Sequence, residues 1–221
     1  IIGMALHVTT GFAAPHTGSG KYEYDFRTKW GTDWDNLFEI SNSGLPRGMI
    51  NRIGVNSETH KLGKDEWASA VALELKKDID FKIHISSDEN EVTIISEVIS
   101  NVSSDYNLVV CLTESHIINW QKDGQENIED YEHNHVLRTV LVEESLSSAS
   151  NLIIGQQIEK IIAFDLAVLE QANIDYSANT AINGSGNAGG WNAENMSVIA
   201  YIYDNTTKEI VQVEEAHLIN K

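Results

Sequence analysis

From Phe81 to Glu214 apolar side chains recur at every second position over stretch after stretch, the period of a half-buried strand. The stretches Phe81–Ser86, Glu91–Ser100, Tyr106–Ser115, Val136–Glu143, Ile158–Leu169, Met196–Asp204 and Lys208–Glu214 predict seven strands. Asp88-Glu89-Asn90 and Asp204-Asn205-Thr206-Thr207 read as turns between neighbours. Seven strands with no helix among them predict an antiparallel β-sandwich. Leu108-Val109-Val110-Cys111-Leu112 is apolar on both faces, so its strand belongs in the middle of a covered sheet. Two stretches interrupt the pattern and read as long loops: the polar, acidic Ile117–His135, and Ala172–Asn195 with its glycine-rich tip Gly184–Gly190.

Ahead of Asp78 the pattern differs. Tyr22, Phe26, Trp30, Trp34 and Phe38 recur every four residues, which predicts a helical face that Gly31 divides into two short helices. Lys64–Lys77 predicts a further helix: Trp67, Ala70, Val71 and Leu75 share a face, acids occupy the first turn and lysines the last. Ile1–Val8 reads as a buried strand and Thr9–Lys21 as a surface connection. Gly44–Gly48 reads as a turn leading into a short strand, Met49–Gly54. The Leu45–Pro46 bond is expected to be cis, since X-Pro is nearly the only place where a cis peptide is inexpensive. The change of period at 78–80 divides the chain into a 1–79 part and an 80–221 sandwich. A buried strand at residue 1, with no initiator Met, reads as the start of a fragment.

Composition narrows the function classes. The 221 residues carry 15 basic and 33 acidic side chains, a formal net charge of −18, with 42% hydrophobic residues. That supports a packed core and excludes a disordered acidic chain. The negative field repels phosphate backbones and anionic lipid surfaces, so nucleic acid is excluded as a partner. No apolar run approaches the roughly 18 residues of a transmembrane helix. One cysteine, Cys111, excludes an internal disulfide, a Cys-x-x-Cys pair and a thiolate zinc site; set in an apolar strand, it is expected to be buried and inert.

The candidate chemistry is sparse. His133 and His135, two apart in Tyr131-Glu132-His133-Asn134-His135, could share one face of an extended chain and are weak metal candidates. The competing reading makes Tyr131, His133, His135 and Arg138 an anchor that closes the Ile117–His135 excursion, with Arg138 pairing Asp130 or Glu132 if the chain bends. The glycine-rich loop lacks the strand–loop–helix context of a phosphate cradle and reads as a flexible hairpin tip. The acidic tract Asp123–Asp130 misses the spacing of a calcium loop. There is no nucleophile elbow, and no catalytic group or cofactor is assigned. The residues expected to bind a partner are Trp120, Tyr131, His133, Asn134, His135, Arg138 and Trp191.

Four segments together carry a resemblance: Ile2–His7, Tyr24-Asp25-Phe26-Arg27-Thr28, Gly44–Arg52, and Tyr131-Glu132-His133-Asn134-His135-Val136-Leu137-Arg138. In these the chain resembles the twenty-eight-kilodalton outer membrane protein family of Gram-negative anaerobes. The resemblance implies an α+β fold, a thioredoxin-like part, here truncated, followed by the β-sandwich. On it, Ile1–Val8 looks like a central strand of that part, Pro46 like its cis-proline and Lys64–Lys77 like its last helix. It further implies a non-enzymatic protein of the outer membrane, periplasm or cell surface, an adhesin or receptor for a protein or glycan. The alternative is a fragment of a thioredoxin-like redox accessory whose catalytic segment lies upstream of residue 1.

Overall fold

A computed structural model of the chain describes residues 1–88, 90–102, 105–147 and 152–219. The strands are β1 (Phe81–Ser87), β2 (Glu91–Val98), β3 (Tyr106–Glu114), β4 (Ile117–Asp123), β5 (Glu126–His133), β6 (Val136–Ser145), β7 (Gln157–Ala163), β8 (Met196–Asp204) and β9 (Ile210–His217). The helices are α1 (Lys29–Phe38), α2 (Trp67–Glu74) and α3 (Leu166–Asn179). The fold is mixed α+β with antiparallel sheets. A three-stranded sheet, β1-β2-β7, faces a four-stranded sheet, β6-β3-β8-β9, and β4-β5 forms a separate two-stranded ribbon.

Alternation builds the core between the two sheets. Phe81, Ile83 and Ile85 of β1 and Val92, Ile94 and Val98 of β2 point inward against Leu108, Val110 and Leu112 of β3 and Val198, Ala200 and Ile202 of β8. β3 is buried on its other face as well, as its apolar run predicts, and sits between β6 and β8. There Val109, Cys111, Ile199, Tyr201 and Tyr203 pack against Trp34 and Phe38 of α1. The amino-terminal segment therefore covers a second apolar sheet face, which explains why β3 and β8 lack polar alternation. Cys111 is fully buried, and burial pushes its thiol pKa up.

Several expectations need correction. The segment 158–169 is not one strand: β7 ends at Ala163, and Asp165 caps α3, its Oδ1 accepting the Ala167 and Val168 N–H groups at 3.0 and 3.2 Å. The first third of the expected Ala172–Asn195 loop, residues 172–179, is therefore helix. The Ile117–His135 loop is the hairpin β4–β5. The aromatic repeat makes one helix, because Gly31 falls in its first turn beneath the Thr28 cap, while Tyr22 and Phe26 lie outside it. Met49–Gly54 forms turns, with Asn51 and Arg52 in the left-handed region. The opening segment makes a single parallel bridge, Ala5 to Val136, and Ile1 is exposed, so it is no buried strand. The helix expected over Lys64–Lys77 shortens to α2, none of whose residues is fully buried. The Leu45–Pro46 bond is cis, as expected. Glu89, in the turn expected at 88–90, lies outside the described residues. Among the described residues no helix is long and apolar enough to cross a membrane.

Candidate functional site

The hairpin leaves the sandwich between β3 and β6, and its base is clasped from both sides. His116 donates its N–H to Asn134 Oδ1 at 3.0 Å, and its ring meets Glu132 Oε1 at 2.6 Å. The His135 N–H reaches Ser115 Oγ at 3.0 Å. His116 and His135 both take positive φ, 58° and 55°, which turns the chain out of one strand and into the next. His135 consequently does not share a face with His133: His133 is buried, whereas His135 and Asn134 are exposed at the turn. His135 Nδ1 lies 4.0 Å from Glu215 Oε1.

Along the ribbon the register slips between Asn119 and Gln121, leaving Trp120 out of the ladder. An irregularity of this kind re-aims a side chain. The indole meets Tyr22 at 5.9 Å between ring centroids, with Lys21 Nζ 4.9 Å from the ring centre. The Tyr22 hydroxyl then donates to Asn127 Oδ1 at 2.6 Å, tying the amino-terminal arm, residues 1–28 ahead of α1, to the hairpin. Between arm, hairpin and the Leu45–Pro46–Arg47 turn lies a cleft of about 820 Å³, whose wall includes His7, Tyr22, Pro46, Trp120 and His133.

The floor of this cleft is an aromatic stack. His7 lies on Phe26 at 4.8 Å, Phe26 on His133 at 4.7 Å, and the exposed Tyr131 stands edge-on to His133 at 4.8 Å. The two imidazoles are 5.8 Å apart. Burial is the main force that lowers the His7 pKa to about 4, with His133 and Arg138 adding to it. Burial lowers the His133 pKa too, opposed by hydrogen bonding to the Trp120 and Asn119 backbone. Both rings are uncharged at neutral pH. His7 Nδ1 and His133 Nε2 have no hydrogen-bond partner among the described residues.

Behind the stack, Arg138 is held rather than presented. Its Nε donates to Glu114 Oε2 at 2.7 Å and its Nη1 to the Tyr24 hydroxyl at 3.0 Å, inside a cage of Tyr24, Phe26 and Trp191 rings. The carboxylate partner is thus Glu114 on the neighbouring strand, not Asp130 or Glu132, which stay on the exposed ribbon. Glu114 Oε1 also accepts the Asn192 N–H at 3.1 Å, and Tyr24 donates to Gly189 O at 2.8 Å. Trp191, its indole N–H on Ala188 O at 3.1 Å, belongs to this packing and is not among the residues lining the cleft. The structure therefore brings Trp120, His133 and Pro46 together at the cleft, Tyr131 beside them, and places Arg138 and Trp191 behind.

A second buried lock was missed in sequence. Arg27 forks onto Asp25, Nε to Oδ1 at 2.8 Å and Nη2 to Oδ2 at 2.9 Å, while Ser177 Oγ of α3 donates to Asp25 Oδ2 at 2.7 Å. Arg27 Nη1 reaches Ile182 O at 2.8 Å, and the Asp25 N–H donates to Asn187 O at 2.8 Å. The glycine-rich loop is therefore clamped between α3 and the arm and is no hairpin tip. A Cβ on Gly184 would stand 1.8 Å from Ser177 O, so only glycine fits. Asp25 and Arg27 flanking a phenylalanine were the available signal.

A family profile described as outer membrane protein Omp28 matches residues 35–221. The chain belongs to the Omp28 family. Membership makes this an exported, outer-membrane-associated protein. Among curated proteins none has a similar sequence. Of solved structures, the chain is similar to a domain of the outer membrane lipoprotein Omp28 from Porphyromonas gingivalis, at 15% identity over 65% of this chain and 91% of that one, TM-score 0.32. It is also similar to HBP35 of Porphyromonas gingivalis, at 10% identity over 70% of this chain and 45% of that one, TM-score 0.46. A structural-genomics protein from Agrobacterium tumefaciens is 11% identical over 93% of this chain and 77% of its own, TM-score 0.43.

Proposed function

We propose that this outer-membrane-associated protein is a non-enzymatic binding module, of the adhesin or receptor kind, that takes a protein or glycan partner at the cleft beneath the β4–β5 hairpin. The observation that carries the reading is Trp120, turned out of the hairpin ladder and set with Tyr22 over the roughly 820 Å³ cleft. Aromatic faces beside a cavity suit a sugar ring or an apolar anchor of a protein. Around them the ribbon carries the exposed acids Asp123, Glu126, Glu129, Asp130 and Glu132, which bias the rim toward a partner with basic or hydroxyl groups. No catalytic role and no cofactor is assigned to the chain; the division into a 1–79 part and an 80–221 β-domain rests on the change of period, and the thioredoxin-like character of the first on the sequence resemblance.

The test is recovery from solubilised native cell envelope by immobilised wild-type protein and by Trp120→Ala. A partner retained by the wild type and lost with the variant supports the reading. Equal recovery by both overturns it.

A further inference from the structure

Across residues 1–8 of the arm from the cleft lies a second cavity of about 250 Å³. Leu6, Val8, Leu45 and Arg47 line both, but the second is predominantly apolar, with Met4, Phe38, Met49, Ile199 and Val213 among its walls. One wall is Arg52, which is buried. A buried guanidinium ordinarily has a carboxylate partner, because its in-plane N–H groups need acceptors once water is gone. Arg52 makes no ion pair among the described residues.

What surrounds Arg52 instead is a ring cage: Trp34, Phe38, Tyr201 and Tyr203 lie 5.6, 4.8, 5.0 and 5.3 Å from the guanidinium carbon. Rings serve the π faces of the group and leave the N–H groups along its edge to other acceptors. Along that edge the hydrogen bond found is Nη2 to the Tyr201 hydroxyl at 2.7 Å. Neither nearby acid pairs with Arg52 among the described residues. Asp35, on the same cavity wall, accepts the Ser41 N–H at 2.9 Å, and Glu143 accepts the Tyr203 hydroxyl at 2.9 Å. Arg52 is also held at a φ of 57°, directly after Asn51 at 49°, a backbone state that non-glycine residues seldom adopt and that is retained where the surroundings impose it.

We propose that this cavity is a binding site for a small amphiphilic monocarboxylate, its carboxylate on the free edge of Arg52 and its hydrocarbon tail among the apolar walls. Size sets the class. An apolar cavity of about 150 Å³ takes a benzene ring, so about 250 Å³ suits an aliphatic or aryl acid of roughly eight carbons. A planar carboxylate can accept two N–H bonds from the fork, which a hydroxyl cannot do. The protein as a whole is strongly anionic, so the selectivity is local to Arg52.

The experiment titrates the full chain with sodium octanoate, 1-octanol and octyltrimethylammonium by calorimetry, with the melting temperature as a second readout. The wild type is expected to saturate with octanoate at least tenfold more tightly than with octanol, about the contribution of one charge-assisted bond, and to give no saturable signal with the cation. Arg52→Gln should bring octanoate and octanol to parity. Met49→Trp, which fills the cavity without touching the charge, should abolish both and keeps the test valid if Arg52→Gln does not fold. Equal affinity of the wild type for octanoate and octanol, or octanoate binding that survives Met49→Trp, would overturn the proposal, as would no saturable octanoate binding.

Discussion

Two arginines are buried in this molecule beside aromatic cages, and they are compensated in different ways. Arg138 has a cage of three rings and also a carboxylate, Glu114, at 2.7 Å. Arg52 has a cage of four rings and a tyrosine hydroxyl, and lines a cavity. The first arrangement is closed: through Tyr24 and Asn192 it ties β3, β6, the arm and the segment before β8 into one block behind the cleft. The second is open on one edge. A paired buried charge is costly to break, whereas a buried cation without a carboxylate beside a cavity can receive an anion.

The largest effect expected from this contrast is at the closed site. Arg138→Met leaves Glu114 buried without its cation, so denaturant unfolding should show a loss of about 3–5 kcal/mol. Glu114→Gln/Arg138→Met together should recover part of it; strict additivity would break the picture of a coupled pair.

Next comes the cleft floor. His7 has its pKa lowered to about 4 in the fold, against about 6.5 in the unfolded chain. The unfolded state therefore takes up a proton first as pH falls, so the His7 contribution is fully present above pH 6.5 and is lost between 6.5 and about 4. The full loss is on the order of 3 kcal/mol, and the lowered pKa of His133 adds in the same direction. In His7→Gln the slope of stability against pH over that window should flatten; an unchanged slope would contradict a neutral, largely desolvated imidazole.

Arg52→Met should cost less than Arg138→Met, about 1–2 kcal/mol by thermal or denaturant unfolding, because the change removes cation–π attraction but strands no carboxylate. A loss as large as that at Arg138 would erase the distinction. Smallest of all is Trp120→Ala, expected to change stability by about 0.5 kcal/mol or less, since the indole lies outside the ladder in a half-exposed position.

Where one physical signal dominated, the sequence was readable. The two-residue period of β1 and β2 and the double-sided burial of β3 follow from alternation and apolar runs, as does the burial of Cys111. α3 escaped because its apolar residues are not gathered on one face and its first turn continues an alternating strand; the Asp165 cap before a run of Leu, Ala and Glu was the countersignal. The hairpin escaped because β5 is polar on nearly every position, with no core face to set a period. At the site, His133 and Trp120 were legible as residues but their arrangement was not. The fate of His135 turned on a left-handed residue, and the partner of Arg138 on which strand lies beside β6. Arg52 and its cavity depend on contacts between residues roughly 150 positions apart, as its bond to Tyr201 shows, which no local pattern carries.

The most direct test of the binding face is amide hydrogen exchange of the protein with and without the partner recovered from cell envelope. Added protection is expected on β4–β5 and on the arm around Tyr22, with the outer face of the β1-β2-β7 sheet unchanged. Protection confined to that sheet, with the hairpin exchanging as in the free protein, would contradict it.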